Sequence, residues 1–472
     1  MGQNGEIGGE AFTTDMHAAR ANGRRQRILL IHQNFPGQFR HLAVHLHQRE
    51  DVEVIGLGRD TAPGLKIPSA PGEAGKTAPR EFPWFKYKLH RQVKKEAHPY
   101  LRQMEAAVLH GQAVARALAE LKRKGFTPDI ILAHPGWGET LYAKQIFPDV
   151  KLIHFCEWYY STEGADFNFD PEFPSTLDDN LRITTWNALH LLNLENCDAA
   201  VAPTQWQKSR FPAAYQHKIE VIHEGIDTAN LSPDPEATLP LPLRHFRETT
   251  SGENSEELNE KEAEATLILK AGDPIITYVA RNLEPYRGFH TFMRALPKVL
   301  KVHPTAHVLI VGGDSRSYGS MPKDAKHWRE KMLWEVKGDL GESEQHLHFL
   351  GKVSYETYKK VLQISAAHVY LTYPFVLSWS LLEAMATGCQ IIASDTAPVR
   401  EVIRHGQNGV LTDFFNAKHL ATQMIEALNN QAAARILRQV ARTDAKAYAL
   451  QRGLSAYLEL LGLSVEAVAS NA

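Results

Sequence analysis

A serine and a glutamate at the start of a predicted helix are the first residues that suggest chemistry. Ser380 and Glu383 stand three residues apart at the head of an apolar run, which is the spacing of a capping box. Gly388 then supplies the turn into a predicted buried strand at 390–393. A helix start presents backbone N–H groups and a positive dipole end, for which phosphate is the usual ligand. The segment predicts a phosphate site where the Glu383 carboxylate also binds sugar hydroxyls.

Two arginines follow another apolar run, which is predicted as a strand at 275–280. Arg281 and Arg287 flank a proline turn. Each guanidinium presents fixed donors that match phosphate oxygens. Together they predict a diphosphate clamp, and a solvated pair of loop arginines is the alternative.

Two glycines follow predicted strands of their own. Gly37 comes after the strand at 27–32, and Gly312 ends the strand at 306–311. Glycine lets the backbone approach a ligand closely. Gly312 therefore predicts a ligand-facing loop, with an ordinary strand exit as the alternative, while Gly37 by itself indicates a turn.

Polar and aromatic residues cluster after two strands of the first half. His134 begins the segment 134–139, and His154 and Glu157 lie in the segment 154–160. Aromatic rings stack on the apolar faces of a sugar, while carboxylates and imidazoles bind its hydroxyls. The two segments predict a sugar site. A histidine beside an apolar strand is also often a core residue, and that alternative stays open.

Together these motifs resemble the retaining glycosyltransferases of family 4 over about residues 26–465, apart from a linker. Besides the Glu383 segment, the resemblance rests on the sequence segments 32–38, 134–139, 169–174, 203–207 and 222–227. The sequence of the first predicted domain resembles that of a bacterial subgroup of the family with an HQNFPGQFRHLA-type N-terminal domain. The resemblance implies an α/β chain of GT-B architecture, with two Rossmann-like domains and a donor cleft between them. It also implies transfer from a nucleotide-diphosphate sugar to an acceptor hydroxyl, with retention of configuration.

The resemblance also implies roles for individual residues. The family carries two glutamates eight positions apart; Glu383 matches the second, and Phe375 stands in place of the first. Arg287 stands where the family has a lysine, and Val353 lies where the family's backbone approaches the base. The predicted catalytic residues are Arg281, Arg287, Glu157 and His154. The predicted donor-binding residues are Gly37, His134, Gly312, Val353, Phe375, Ser380, Leu381, Leu382 and Glu383.

No metal and no cofactor is predicted. The sequence has no Asp-x-Asp motif at a strand end, so the arginines are expected to replace a divalent ion at the diphosphate. A non-catalytic nucleotide-sugar-binding protein of the same fold is the alternative function, and Phe375 favours it. A phosphorolytic or epimerising enzyme on the same scaffold is a third, which would need a phosphate pocket of another kind.

The elements that must position these residues are nearly continuous apolar strands alternating with helices. This pattern predicts parallel sheets covered on both faces, and in such sheets ligands bind beyond the carboxyl ends of the strands. The predicted organisation is a disordered extension at 1–25, a first Rossmann-like domain at 26–230, and a linker with an acidic insertion at 231–270. A second Rossmann-like domain follows at 271–445, and a terminal helix at 446–472 is expected to cross back to the first.

Composition limits the partners. The 472 residues carry a net charge of −2 at pH 7, which argues against nucleic acid. Three well-separated cysteines predict buried thiols. Because the sequence also lacks an apolar run long enough to target the chain to a membrane or to span one, a cytoplasmic protein is predicted. The basic, aromatic segment at 84–95 is predicted to be either an interfacial helix or a solvated face over a core helix. Peripheral membrane contact and the oligomeric state therefore stay open.

Overall fold

The computed structural model describes residues 24–67, 79–242 and 266–465. Its strands are β1 (Gln26–Ile31), β2 (Val52–Arg59), β3 (Lys66–Ile67), β4 (Arg80–Glu81), β5 (Trp84–Tyr87), β6 (Ile130–Ala133), β7 (Lys151–Phe155), β8 (Ala199–Ala202), β9 (Ile219–Val221), β10 (Thr238–Pro242), β11 (Thr266–Lys270), β12 (Ile275–Asn282), β13 (His307–Gly313), β14 (Leu347–Gly351), β15 (Ala367–Tyr370), β16 (Ile391–Ser394) and β17 (Val410–Thr412). Its α-helices are α1 (Arg40–His47), α2 (Arg102–Arg123), α3 (Ala143–Ile146), α4 (Leu177–Asn196), α5 (Gln205–Arg210), α6 (Phe289–Val302), α7 (Trp328–Leu340), α8 (Tyr355–Gln363), α9 (Trp379–Thr387), α10 (Ala397–Arg400), α11 (Ala417–Asn429), α12 (Gln431–Ala445) and α13 (Leu450–Leu460).

The first compact unit is built on a seven-stranded sheet in the order β5-β2-β1-β6-β7-β8-β9, with every neighbouring pair parallel. Alternate residues of β1 enter different cores: Ile28 and Leu30 pack on one face, and Leu29 and Ile31 on the other. The sheet is therefore covered on both faces, which is why its strands are continuously apolar. Strand order reverses between β1 and β6, and this switch point is where open α/β sheets bind ligands.

The terminal helix α13 belongs to this first unit. Leu454 and Leu458 share a core cluster with Leu42 and Leu46 of α1. Lys151 also donates from Nζ to the Leu460 carbonyl at 3.0 Å. The helical composition at 432–461 is interrupted, because α12 ends at Ala445 in the second unit and α13 begins at Leu450 in the first.

The second unit is built on a six-stranded parallel sheet in the order β14-β13-β12-β15-β16-β17. Its strand order reverses between β12 and β15, which gives this sheet a switch point of its own. Helix α9 is central to one of its cores, since Leu381, Leu382 and Met385 are buried there beside Ala441 of α12. The described parts of the chain thus contain the two α/β sheets that the sequence predicts.

Three local predictions were wrong. Residues on both sides of the acidic insertion form an antiparallel hairpin of β10 and β11, with Leu239 and Leu241 buried and the intervening prolines exposed. Proline lacks an N–H group and so suits such an isolated edge.

The segment 84–95 was predicted to contain a helix. Residues 84–87 instead form the edge strand β5, and no helix is present within 84–95. Residues 163–171 belong to the second unit rather than to the first.

Other predictions fall partly outside the described residues. The extension at 1–25 is described only from residue 24, and the acidic stretch at 243–265 is not described. The three cysteines are buried and free, as predicted, and burial raises the pKa of each thiol. Within the described parts of the chain, no helix combines the length and the apolar character that a membrane span needs.

Candidate functional site

Arg287 is held at the switch point of the second sheet. Only 8% of its surface is exposed. Its Nη1 atom donates to the Thr372 hydroxyl at 2.7 Å, to the Val376 carbonyl at 3.2 Å and to the Tyr370 hydroxyl at 3.3 Å. These acceptors lie at the end of β15 and in the loop before α9. The guanidinium is therefore fixed against the loop that leads into α9.

Arg281 lies at the end of β12, where the pairing with β13 shifts register between Val279 and Asn282. Irregular pairing of this kind often redirects a side chain next to a binding site. Its side chain is exposed and has no hydrogen bond or ion pair to another described residue. The predicted clamp thus combines one fixed arginine and one that is free to meet a ligand.

The start of α9 differs from the predicted capping box. Ser378 is the cap, and its hydroxyl accepts the N–H of Ser380 at 3.4 Å. Ser380 lies within the first turn, because the helix begins at Trp379. Glu383 does not return to the helix start, since its Oε2 accepts the Tyr358 hydroxyl at 2.6 Å. Spacing alone could not show that a tyrosine of α8 would take the carboxylate.

The pKa of Glu383 is raised, because the effect of burial outweighs the opposing effect of the hydrogen bond from Tyr358. The carboxylate is partly exposed and lies one turn inside α9. Leu381 and Leu382 are fully buried, and the Leu381 N–H donates to the Ser378 carbonyl at 3.2 Å, so both residues belong to the core. Of the residues predicted at this helix, Leu381 and Leu382 therefore belong to the core and Glu383 to the candidate site.

Phe375 belongs to an aromatic wall. Its ring meets Tyr286 edge-on at 5.4 Å and Tyr318 at 5.0 Å between centroids. Tyr318 in turn lies under the Arg287 guanidinium, 5.5 Å from the ring centre to Cζ. Buried Glu284 fixes this loop by accepting backbone N–H groups, including that of Gly319 at 3.0 Å. Position 375 thus presents an apolar edge beside the fixed arginine.

Sequence reasoning missed two aspartates in this unit. Asp166 accepts the hydroxyl of Tyr286, and Asp170 accepts that of Tyr373 at 2.8 Å. Asp170 also lies 3.2 Å from Nε2 of His290. The aspartates come from the segment 163–171, which lies in sequence between strands of the first sheet. The motif at 169–174 was the available signal, but nothing local indicates where the segment packs.

Gly312 and Val353 are explained by packing. A Cβ atom on Gly312 would lie 2.7 Å from Leu283 Cδ2 and 3.0 Å from the Ala280 carbonyl, so neighbouring protein atoms already require glycine there. Val353 packs against the core cluster that contains Val311. Contacts within the protein thus account for both residues, and their predicted roles at the donor stay predictions.

In the first unit, Glu157 and His134 form the central pair at the switch point. The Gly136 N–H donates to Nδ1 of His134 at 3.2 Å, so the ring proton lies on Nε2, which donates to Glu157 Oε2 at 3.1 Å. The ring is stacked between Trp137 at 4.5 Å and Phe155 at 5.7 Å. The imidazole is therefore fixed in both orientation and tautomer.

A second chain of hydrogen bonds reaches the same carboxylate. The Asn34 N–H donates to Nδ1 of His32 at 2.9 Å, and Nε2 of His32 donates to Gln38 Oε1 at 2.7 Å. Nε2 of Gln38 then donates to Glu157 Oε1 at 3.3 Å. Burial lowers the pKa of His32 to about 3, so this ring is neutral. Both carboxylate oxygens of Glu157 thus accept oriented donors, although 36% of the side chain stays exposed.

Gly37 makes this arrangement possible. Its φ of +51° favours glycine, and a Cβ atom would lie 2.3 Å from Nε2 of His32. Protein contacts alone therefore account for the glycine. Any side chain here would displace the His32 ring from Gln38.

His154 is not part of this pair, and its predicted catalytic role is corrected. Side chains alternate along β7, so Phe155 faces His134 while His154 lies on the opposite face of the sheet. His154 is fully buried, and burial lowers its pKa to about 3. It is a neutral core residue, as the alternative interpretation held.

A cavity of about 140 Å³ opens beside the Glu157–His134 pair. Its walls include the rings of Trp137, Trp158 and Tyr160 together with polar groups of Glu157 and Asn193. Apolar faces with a few oriented polar groups suit a small, hydroxylated ligand.

Glu139 is a further buried acid near this edge that the sequence did not single out. Its Oε1 accepts the Tyr87 hydroxyl at 2.9 Å, and Tyr87 also lies 2.8 Å from Nδ1 of His110. Burial raises the pKa of Glu139 to about 7. The group thus titrates near neutrality, far from solvent.

Two family models match separate regions of the chain. The family model for the glycosyl transferase family 4 group matches residues 74–231, and that for glycosyl transferases group 1 matches residues 259–444. Spore coat protein SA of Bacillus subtilis is 26% identical over 251 residues, which are 50% of this chain and 56% of that protein. Phosphatidyl-myo-inositol mannosyltransferase of Mycolicibacterium smegmatis is 32% identical over 160 residues, which are 33% of this chain and 36% of that protein. The chain thus spans about half or less of these relatives.

Solved structures resemble the chain over nearly its whole length. Sucrose-phosphate synthase of Thermosynechococcus elongatus has a TM-score of 0.62 at 17% identity, covering 93% of this chain and 98% of that one. HepE of Anabaena, solved in complex with UDP, has a TM-score of 0.59 at 15% identity, covering 93% of this chain and 99% of that one. The fold is of the GT-B class with two Rossmann-like domains, which confirms the predicted fold class.

Proposed function

We propose that the chain is a metal-independent, retaining glycosyltransferase that moves a sugar from a nucleotide-diphosphate sugar to an acceptor hydroxyl. The observation that carries the proposal is the arginine pair at the switch point of the second sheet. Arg287 is fixed by Thr372 and Val376, while Arg281 has no partner among the described residues. Both lie within the 259–444 match to glycosyl transferases group 1.

The second domain would bind the nucleotide part of the donor. As the bond to the sugar breaks, negative charge grows on the leaving diphosphate. Oriented donors that are already in place stabilise such charge without reorganising. Arg281, Arg287 and the first N–H groups of α9 are the proposed donors, and Glu383 is assigned to the ribose.

The first domain would hold the sugar and position the acceptor hydroxyl. Glu157 offers an anionic edge that two separate donors orient, and partial exposure leaves it accessible. His134 acts through Glu157, so it is a positioning residue. The rings of Trp137 and Trp158 supply the apolar wall against which a sugar face can stack.

The relatives support a choice of first substrates. One is named for transfer of mannose to phosphatidyl-myo-inositol, and HepE was solved with UDP and with UDP-glucose. The proposed role is therefore in glycan, polysaccharide or glycolipid synthesis, and the proposed location is the cytoplasm. A uridine or guanosine diphosphate hexose is the first donor to test.

A non-catalytic nucleotide-sugar-binding protein is the second candidate, favoured by the aromatic packing of Phe375 where the family carries a glutamate. A donor panel distinguishes the two. Purified full-length chain is incubated with uridine, guanosine and adenosine diphosphate sugars, and binding and nucleoside diphosphate release are measured in parallel, with Arg281→Ala as control.

Release faster than that of Arg281→Ala supports the transferase, and an α-linked product from an α-linked donor supports retention. Binding without release above that of a protein-free blank supports the binding protein. If no donor in the panel binds, both candidates fail.

A further inference from the structure

A cavity of about 790 Å³ lies at the amino edge of the second sheet. Its walls come from the residues that precede β12, β15 and β16, among them Gly272, Ala366 and Gly388, and from one side of α12. The arginine pair described above lies at the carboxyl end of β12. The cavity is therefore separate from the proposed donor site, and its volume falls within the range of about 300–1,000 Å³ that is usual for small-molecule sites.

Three arginines of α12 line this cavity. Arg435, Arg438 and Arg442 are spaced three and four residues apart, which places them on one face of the helix. Arg438 is fixed there, because its Nη2 donates to the Ala366 carbonyl at 2.5 Å and to Gln431 Oε1 at 3.3 Å. Its Nε atom is buried without a hydrogen-bond partner in the described chain. The wall thus contains an unused buried donor.

The positive charge in this cavity is not balanced. Arg435 and Arg442 are exposed, and neither has a hydrogen bond or ion pair to another described residue. Asp234 is the carboxylate among the cavity's described lining residues, and it accepts the backbone N–H of Glu236 at 3.0 Å. Three guanidiniums against one carboxylate leave an excess of two positive charges.

We propose that this cavity is a binding site for a small molecule that carries a phosphate group. Guanidiniums present parallel N–H donors that match phosphate oxygens, and three of them lie on one wall of the cavity. The Gln439 side chain is available to the rest of the ligand. The volume exceeds what a phosphate ion alone fills, which favours a sugar phosphate or a similar phosphorylated metabolite.

Binding calorimetry on the full-length chain tests the site, with glucose 6-phosphate and inorganic phosphate as probes. The test variant is Arg435→Gln combined with Arg442→Gln, two exposed changes whose folding is checked by the melting temperature. Lys360→Gln removes an exposed cation of the same domain outside the cavity. Arg281→Gln reports on probe bound at the proposed donor site instead.

The expected result is saturable binding of glucose 6-phosphate that weakens at least about tenfold in the double variant, because two of the three charged donors are lost. Lys360→Gln and Arg281→Gln should bind as wild type does. The proposal is overturned if neither probe binds saturably, if the double variant binds unchanged, or if Arg281→Gln alone abolishes binding. These outcomes leave the transferase proposal untouched, because none of them measures sugar transfer.

Discussion

Removal of the exposed Arg281 guanidinium separates a catalytic role from a structural one. Arg281→Ala breaks no hydrogen bond or ion pair to a described residue, so the free energy of unfolding should change by less than about 0.5 kcal/mol. Loss of a donor to the transition state should slow turnover roughly a hundredfold, equivalent to about 2.7 kcal/mol of activation free energy. We therefore expect a stable protein with low activity.

Arg287→Ala should behave differently. It leaves the buried Thr372 hydroxyl without its donor and removes a bond to the Val376 carbonyl, and each buried group that loses its partner costs about 1–3 kcal/mol. Turnover and melting temperature should fall together. Arg287→Lys keeps the charge but not the planar fork, so it should retain more activity than alanine.

The measurements are the initial rate of nucleoside diphosphate release and the melting temperature for each variant. Lys360→Ala is the matched control, because it removes an exposed cation of the same domain that lies outside both proposed sites. Wild-type turnover in Arg281→Ala, together with a loss in Arg287→Ala no larger than its loss of folded protein, would remove the diphosphate assignment.

Three further predictions concern metal, donor choice and pH. Donor turnover should survive dialysis against a chelator; a loss that magnesium or manganese restores would contradict the replacement of a metal by arginines. Phe375→Glu should shift the donor preference towards fully hydroxylated hexoses, because a carboxylate accepts hydrogen bonds from sugar hydroxyls, whereas an apolar wall discriminates between donors by only about ten- to two-hundredfold. An unchanged ranking of donors with intact activity would show that position 375 does not face the sugar. Burial raises the pKa of Glu139 from 4.5 to about 7. Between these pH values the unfolded chain releases the proton while the folded protein keeps it, so the free energy of unfolding falls as the pH rises from 4.5 to 7. Relative to Glu139→Gln, which keeps the acceptor for Tyr87, the wild type should lose roughly 3 kcal/mol of unfolding free energy over that range, measured by chemical denaturation; parallel pH curves would refute this.

Much of the site could be located from strand ends alone. Arg281, Arg287, His134 and Glu157 were selected because ligands bind beyond the carboxyl ends of parallel strands. The structure brings His134 and Glu157 to within 3.1 Å and fixes Arg287 on the loop before α9. Their roles in transfer remain proposals.

The errors share a physical cause. His154 and Glu157 are close in sequence, but the alternation of β7 directs His154 into the core. Glu383 has capping-box spacing, yet its carboxylate binds Tyr358, which is distant in sequence. Asp170 packs against Tyr373 from a segment that lies between strands of the first sheet. Each outcome depends on a long-range contact that competes with a local preference.

The sequence by itself determined the class of fold and the local elements, because continuous apolar runs and helical periods follow from which faces must be buried. It also determined which residue types are available at the strand ends. Only the tertiary structure decided the strand orders β2-β1-β6 and β13-β12-β15, and with them the two switch points. It alone brought the arginines of α12 beside the amino ends of three strands, because strand order and helix packing depend on contacts between distant residues that no local pattern encodes.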